Sequence, residues 1–575
     1  MDTQRLILFF VFVFSTFMLI EGYQRDQKPQ APAAQTAAKG VPGGTPGATE
    51  GVKGEKGAGV PSAPSVGALA GAAVPAAPGV PSAAIAPGGE IIKVETDVLL
   101  AQISTKGGDI RRLEFKQHKG TLDKSKKFVL FQSNSENTYI AQSGLIGQAG
   151  LPNHHAVYTV SSREFALKSG EKQLEVRLAA PEADGVKVEQ VYRFTRGSYV
   201  IDMTYEVTNG SDKPLQPFGY FQLVRDRKPP EGDSAMLPTY TGPALYSKTK
   251  KFQKYAFDDL DKEKVAFCKD RVSDPRDLQD EGWASVIQHY FVSAFLPKDK
   301  TQRELYACKV DNHLYAAGVK VVGTAIAPGQ KGSLSVPLYA GPQDTKTLEG
   351  LAPGLDLVVD FGILTVIAVP LFMVLTWMHG LSGNWGIAII LLTVLIKAAF
   401  YPLQAASYKA MAKMKVIAPK MQQLKERYGD DRQRMQKAMM ELYQKEKVNP
   451  MAGCLPILVQ MPVFIALYWV ILAAVELRHA PFYGWITDLS AIDPWYILPV
   501  LMGASMIIQT RLNPEPPDPI QAKVMKIMPI AFSIFFFFFP AGLVLYWLVN
   551  NILSIWQQWY INNQIEGASA KPAKS

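Results

Sequence analysis

Cysteine is scarce in this chain, three in 575 residues, which excludes a scaffold built on disulfides. No HExxH, GxSxG or GxxxxGK[ST] pattern occurs, so the usual signatures of zinc hydrolases, serine hydrolases and P-loop nucleotidases are missing. The charge excess is small, 60 basic against 51 acidic residues, and by itself does not indicate nucleic acid. What is present is an uneven chain. Aromatic residues reach 10%, too many for a wholly disordered polymer. The length corresponds to about four domains. A mean hydropathy of +0.02 averages two unlike halves. Residues 1–350 hold most of the charge, and 355–562 hold most of the long apolar runs.

Leu6 to Ile20 is apolar, between Arg5 and Glu21. No small-x-small cleavage site follows, so 1–23 reads as an uncleaved signal anchor with its N-terminus inside, a cleaved signal peptide being the alternative. Gly22 and Tyr23 extend this short helix into the interface. Residues 24–89 are rich in Pro, Gly, Ala and Ser and cannot bury a core; they read as a disordered tether.

From 90 to 348 the period is two. Ile91 to Glu95, Val186 to Tyr192 and Tyr199 to Val207 alternate, and turn residues such as Asn209-Gly210-Ser211-Asp212 separate such runs. A large β-sandwich is expected, with little helix before 345. His154 and His155 are adjacent, hence on opposite faces of a strand, and are expected at the surface rather than as co-ligands. Cys268 and Cys308 lie in the same domain, where a disulfide is permitted; two separate buried thiols is the preferred reading.

The apolar half divides by its breakers. Leu357 to His379, within a segment 349–384, is expected to lie as an amphipathic helix in the outer interface. Gly386–Leu403, Leu455–Val475, Trp495–Thr510, Ile527–Phe539 and Leu543–Trp559 read as five spans of a core at 385–562. Residues 404–449 carry 11 Lys and Arg against five acids, whereas 476–494 has Arg478 against Glu476, Asp488 and Asp493. The positive-inside rule puts the first connection and the short tail at 563–575 in the cytoplasm, and the second connection and the β domain outside. The basic connection reads as a helical hairpin at 404–447, with Gly429-Asp430-Asp431 as its turn. Its cations Lys409, Lys413, Lys415, Lys420, Arg427, Arg432 and Arg434 suit anionic lipid, ribosomal RNA or an acidic partner.

Polar residues inside spans are functional candidates by default. Lys397 is the one charge in its span, and no Asp or Glu lies inside another span to pair with it. Thr393 lies one turn earlier on the same face. Gln460 and Asn550 are further polar groups at this depth. Together they would line a wet groove.

Several stretches fit one known pattern. They are Tyr401-Pro402-Leu403, Tyr428-Gly429-Asp430-Asp431, Val448 to Pro456, Gln460-Met461-Pro462, and Phe539-Pro540-Ala541-Gly542 through Tyr546. In these the chain closely resembles the YidC/Oxa1/Alb3 family of membrane protein insertases, densely over 350–562. The N-terminal anchor and Gly282-Trp283 to Phe291 add a likeness to its Gram-negative form. The resemblance implies a multi-domain membrane protein: an N-terminal signal-anchor helix, a periplasmic β-supersandwich, and a five-helix transmembrane core with a cytoplasmic helical hairpin. It implies a hydrophilic groove in which Lys397 stands where Arg is usual, with Thr393, Tyr546 and Trp547 at other groove positions, Trp547 replacing a common Tyr. It implies no cofactor, no metal and no enzyme activity. It implies as partners nascent membrane proteins, the Sec translocon with its accessory subunits and, more weakly, the ribosome or signal recognition particle pathway; no DNA is implied. Lys lacks the planar fork of Arg and loses its proton more readily on desolvation. The competing readings are a secondary transporter of a small anionic solute and a membrane-tethered sugar-binding protein; five spans without a paired repeat speak against the first.

Overall fold

A computed structural model describes residues 89–569 apart from 234–238, 263–277, 299, 312, 363, 430, 447–454 and 514–518. The expected anchor at 1–23 and the tether, save Gly89, lie outside the described residues.

The alternating segments fold as two nine-stranded sheets. The first runs in the order Arg303–Lys309, Leu314–Val322, Phe218–Asp226, Thr138–Ile146, Lys127–Ser133, Ile110–Lys119, Leu99–Ser104, Ile91–Glu95, Glu164–Ala166. The second runs Lys251–Lys254, Gly242–Ser247, Gly282–Gln288, Phe291–Phe295, Lys331–Pro342, Val200–Asn209, Val186–Thr195, Gln173–Ala179, Thr159–Val160. Neighbours pair antiparallel except at Ile91–Glu95 with Glu164–Ala166. Alternation sets which residues face inward: Val188, Tyr192 and Phe194 meet Ala141, Phe221 and Val319 of the other sheet in one core. The one described helix within this domain is α1, Phe257–Lys262.

The first sheet is also buried on its far face, by Ile140, Tyr220, Val224, Tyr306 and Cys308. This corrects two expectations. Cys308 is disulfide-bonded rather than a separate thiol, and its partner lies outside the described residues. His154 is buried, not at the surface, because it sits in a turn folded over this face, where its ring and its backbone N–H both meet the Tyr220 hydroxyl.

A buried polar ladder crosses the same face. Tyr306 donates to Gln222 (3.0 Å), Gln222 to Gln142 (3.1 Å), and Gln142 to Asp109 Oδ2 (3.3 Å). Burial pushes the Asp109 carboxyl up to about 7, against the lowering influence of nearby Arg111.

The helical half begins with α2, Thr345–Leu351, capped by Asp344. It continues with α3 (Thr365–Ser382), α4 (Trp385–Ala399), α5 (Tyr401–Tyr428), α6 (Arg432–Lys445), α7 (Leu455–Ala473), α8 (Ile497–Leu512), α9 (Pro519–Phe536) and α10 (Ala541–Ser569). α3 starts later than the expected Leu357. Asp360 is drawn aside to pair with Lys254 of the sandwich, and Gly362 takes φ 69° against the Trp469 ring. α3 is long and apolar enough to cross a membrane, and its exposed side, with Val366, Met373, Trp377 and Leu381, is apolar too. α10 runs on to Ser569 rather than ending at Trp559.

Sandwich and helices share packing. Trp283 Nε1 donates to Pro353 O (3.0 Å), and Gly354, at φ 70°, lies so close to the Tyr246 ring that a Cβ would clash. Further contacts radiate from Arg478, between α7 and α8. Its guanidinium lies 5.3 Å from the Phe128 and Phe291 ring centres and 5.7 Å from that of Tyr290. Nη2 donates to Lys119 O (2.7 Å) and Thr121 Oγ1 (3.2 Å). Beside it Lys124 pairs with Asp488 (3.2 Å), which also accepts from His479 (2.7 Å), and Val475 enters the sandwich core. Burial, aided by Arg478, pushes the nearby His118 imidazole down to about 4, so it packs as a neutral ring on Phe115 and Phe291.

Two predictions follow from these contacts. Because the folded pKa of Asp109 lies above its unfolded value, its contribution to stability is full below about pH 4 and is lost as pH rises through about 7. Asp109→Asn is therefore expected to match wild type near pH 4 and to exceed it by about 4 kcal/mol at pH 8, read by denaturant titration of the detergent-purified protein. A difference that does not vary with pH contradicts this. Arg478→Ala is expected to cost about 2–4 kcal/mol of local stability. Hydrogen exchange should accelerate together at 119–128 and 474–490, and unchanged exchange at either segment refutes the clamp.

Candidate functional site

The site is built around a bend. Asn384 caps α4, its side chain accepting from Gly386 N (2.9 Å) and Ile387 N (3.1 Å). Ala388, Ile389, Leu392 and Ile396 pack inward, while Leu391, Val394 and Leu395 stay exposed as an apolar outer face. Helicity breaks at Phe400. Pro402, in the first turn of α5, has no N–H to bond the carbonyl of Ala398 and crowds it, so the two helices meet at 67°.

The bend carries Gln404 back under Lys397, whose Nζ donates to Gln404 Oε1 at 3.3 Å. α10 supplies the second acceptor: Lys397 Nζ donates to Ser554 Oγ at 2.6 Å, and that hydroxyl donates to Asn550 O at 2.8 Å. Among the described residues no carboxylate pairs with Lys397; both of its acceptors are neutral.

α10 brings more polar groups to the same place. Trp547, Asn550, Ser554 and Gln557 recur every three or four residues and so share a face. Asn551 donates to Ser505 on α8 (3.2 Å), and Gln558 to Asn513 (2.9 Å). Trp547 Nε1, Asn550 Oδ1, Gln557 Nε2 and Gln558 Oε1 are buried with no hydrogen-bond partner among the described residues. Each such atom costs about 1–3 kcal/mol unless water or another chain bonds it. No cluster of His, Cys, Asp and Glu fit to hold a metal occurs among the described residues.

Two family models match consecutive parts of the chain: the YidC periplasmic domain over 91–374, and the 60Kd inner membrane protein over 377–569. The membrane protein insertase YidC of Aromatoleum aromaticum is 57% identical over 483 residues, covering 84% of this chain and 86% of its own. That of Nitrosospira multiformis is 50% identical over 574 residues, covering 100% and 99%. A solved structure of an active YidC insertase, with its first transmembrane domain resolved, aligns at TM-score 0.40 and 17% identity over 84% of this chain and 95% of its own.

The chain belongs to the YidC family of membrane protein insertases.

It is thus a member of an inner-membrane insertase family, not of an enzyme family, and its β-sandwich is the YidC periplasmic domain. The residues expected to line a groove fall on two levels. Lys397 and Asn550 belong to the cluster at the bend. Thr393 is buried, with its hydroxyl bonded to Ile389 O of its own helix at 2.7 Å. Gln460 donates to the buried Tyr546 hydroxyl, and Trp547 packs edge-on against Phe464 at 4.6 Å. No hydrogen bond among the described residues joins this second group to Lys397. Gln404 and Ser554 were missed by sequence reasoning. Gln404 falls inside the basic connection by charge counting, and only the bend returns it. The spacing Trp547, Asn550, Ser554, Gln557 was the signal that could have exposed Ser554.

The YidC hairpin closes on Ile417 and Met421 of α5 against Leu442 and Tyr443 of α6, and Asp431 caps α6 by accepting from Arg434 N (3.0 Å). Lys420 pairs with Glu446 (2.7 Å) and Arg434 with Asp431 (3.2 Å), while Arg427 lies 5.7 Å from the Tyr428 ring centre. Lys409 and Lys413 are exposed; the side chains of Lys415 and Arg432 lie outside the described residues.

Tyr546→Phe removes the oxygen that Gln460 bonds. The expected cost is about 1 kcal/mol, a drop of a few degrees in Tm in detergent. Gln460→Leu added to it should cost little more, because the pair acts as one unit. Fully additive losses contradict the bond.

Proposed function

We propose that this chain inserts and helps fold inner-membrane proteins through a hydrophilic groove centred on Lys397, without hydrolysing nucleotide, alone or beside the Sec translocon. The observation that carries the reading is Lys397 held by two neutral acceptors within apolar helices, next to buried polar atoms that have no partner among the described residues. Such a seam lowers the desolvation cost for a polar segment on its way across. Lys397 attracts acidic residues in that segment. The substrate's apolar helix then leaves sideways into lipid, driven by about 25 cal/mol per Å² of buried apolar surface. One span of about 20 residues offsets the passage of a few polar groups, not of a large charged domain. Unaided substrates are therefore single- or double-spanning, with short exported segments.

The topology belongs to the same proposal. Residues 1–23 anchor the chain N-in, 24–89 tether the periplasmic domain, α3 lies in the outer interface, and α4 with the start of α5, α7, α8, α9 and α10 form the five-helix core. The hairpin and C-terminus face the cytoplasm. There Lys409, Lys413 and their neighbours meet anionic lipid or an incoming ribosome or signal recognition particle complex. Membership of an insertase family displaces the solute-transporter reading.

The test is insertion of a labelled single-span substrate, with an acidic short exported segment, into liposomes containing only the purified protein and no nucleotide. Wild type and Lys397→Arg should insert it, and Lys397→Ala should fall about 10-fold or more, equivalent to losing one charge-assisted hydrogen bond. Failure of wild type to insert, while a known insertase succeeds, sinks the proposal.

A further inference from the structure

The bonds around Lys397 point to a division of labour that rests on the groove reading above. A lysine ammonium has three N–H donors and no acceptor. Two are engaged, by Ser554 Oγ at 2.6 Å and Gln404 Oε1 at 3.3 Å. The Ser554 hydroxyl also donates to Asn550 O, at 2.8 Å on its own helix, and an ammonium offers it no lone pair in return. Toward Lys397, then, Ser554 presents lone pairs and acts as an acceptor. An oxygen fixed in that role stabilises the protonated amine over the neutral one. Gln404 adds a second oxygen from the far side of the bend. Neither carries charge, so neither neutralises the ammonium as an Asp or Glu would.

We infer that Ser554 and Gln404 are positioning residues, which hold Lys397 as a charged ammonium and leave one of its N–H bonds for a carboxylate in the substrate's polar segment. The neutrality of the two holders is what makes the site selective. A carboxylate in either place would occupy the cation that the substrate has to meet. A titratable group beside the trio is Tyr408 on α5, which is buried and hydrogen-bonded to Ser554. From α10 the cluster is faced by Asn550 and Ser554, neither of which titrates.

The test compares two single-span substrates in proteoliposomes holding the full-length protein. They differ only in carrying aspartates or asparagines in the exported segment, and the ratio of their insertion is followed as pH rises. Wild type should favour the aspartate substrate, and the preference should fade as Lys397 gives up its proton. In Ser554→Ala and in Gln404→Leu the preference should be several-fold smaller and should vanish about one to two pH units lower, the worth of a hydrogen bond to a charged group. Ser554→Thr, which keeps the hydroxyl, should restore both the ratio and the midpoint. Ser554→Asp, which keeps an acceptor but supplies a counter-charge, should abolish the preference and guards against a folding defect in the alanine variant. If Lys397→Met removes the preference while Ser554→Ala and Gln404→Leu keep the wild-type ratio and midpoint, the positioning inference is wrong and the groove reading stands. If Lys397→Met itself keeps the preference, the groove reading fails and the inference with it.

Discussion

Lys397, set among apolar helices with no carboxylate beside it among the described residues, is the constraint around which the helical half is organised. A carboxylate partner would offset the desolvation of Lys397 more fully, yet the described contacts supply two neutral oxygens instead. Other features follow from that choice. The break before Pro402 swings Gln404 into range. The polar face of α10 brings Ser554 from the opposite side. The buried atoms on Trp547, Asn550 and Gln557 that find no partner among the described residues add to the polar character of the same seam. A core optimised for stability alone would have filled this seam with leucine.

The junction with the sandwich is built on the opposite logic. There the cation is packed against rings and bonded to backbone. Arg478 lies against three aromatic rings and donates to the sandwich backbone, and its neighbour Asp488 is held by His479 and Lys124. Arg suits this place because its planar guanidinium stacks on rings while still donating in plane. The periplasmic domain is in this way fastened to the connection between α7 and α8. The helical half is thus polar and incompletely bonded around Lys397, and tightly packed where it meets the sandwich.

Much of this was legible in the sequence, for reasons that can be named. Period-two alternation in Val186 to Tyr192 fixed the inward face of a strand, and the sandwich followed. Gly429-Asp430-Asp431 before a run of helix formers marked the hairpin turn, and Asp431 caps α6. Lys397 stood out because a charge in an apolar run is costly. What stayed hidden depended on distance in three dimensions. Gln404 reads as part of a basic cytoplasmic connection until a 67° bend brings it home. His154 reads as surface until its turn is seen to fold over Tyr220. Asp360 reads as the start of a helix until Lys254, more than a hundred residues earlier, draws it away. Local pattern reports which face of an element is apolar; it does not report which polar groups the fold will make into neighbours.

The proposed mechanism depends on Lys397 being charged inside the membrane without a counter-charge from the protein. Solid-state nitrogen-15 NMR of the full chain in lipid bilayers at neutral pH, with the Lys397 Nζ resonance assigned by its loss in Lys397→Arg, tests this most directly. The account predicts an ammonium shift, with magnetisation transfer to Ser554 and to no carboxylate carbon. A neutral amine shift, or transfer to an Asp or Glu side chain, would contradict it.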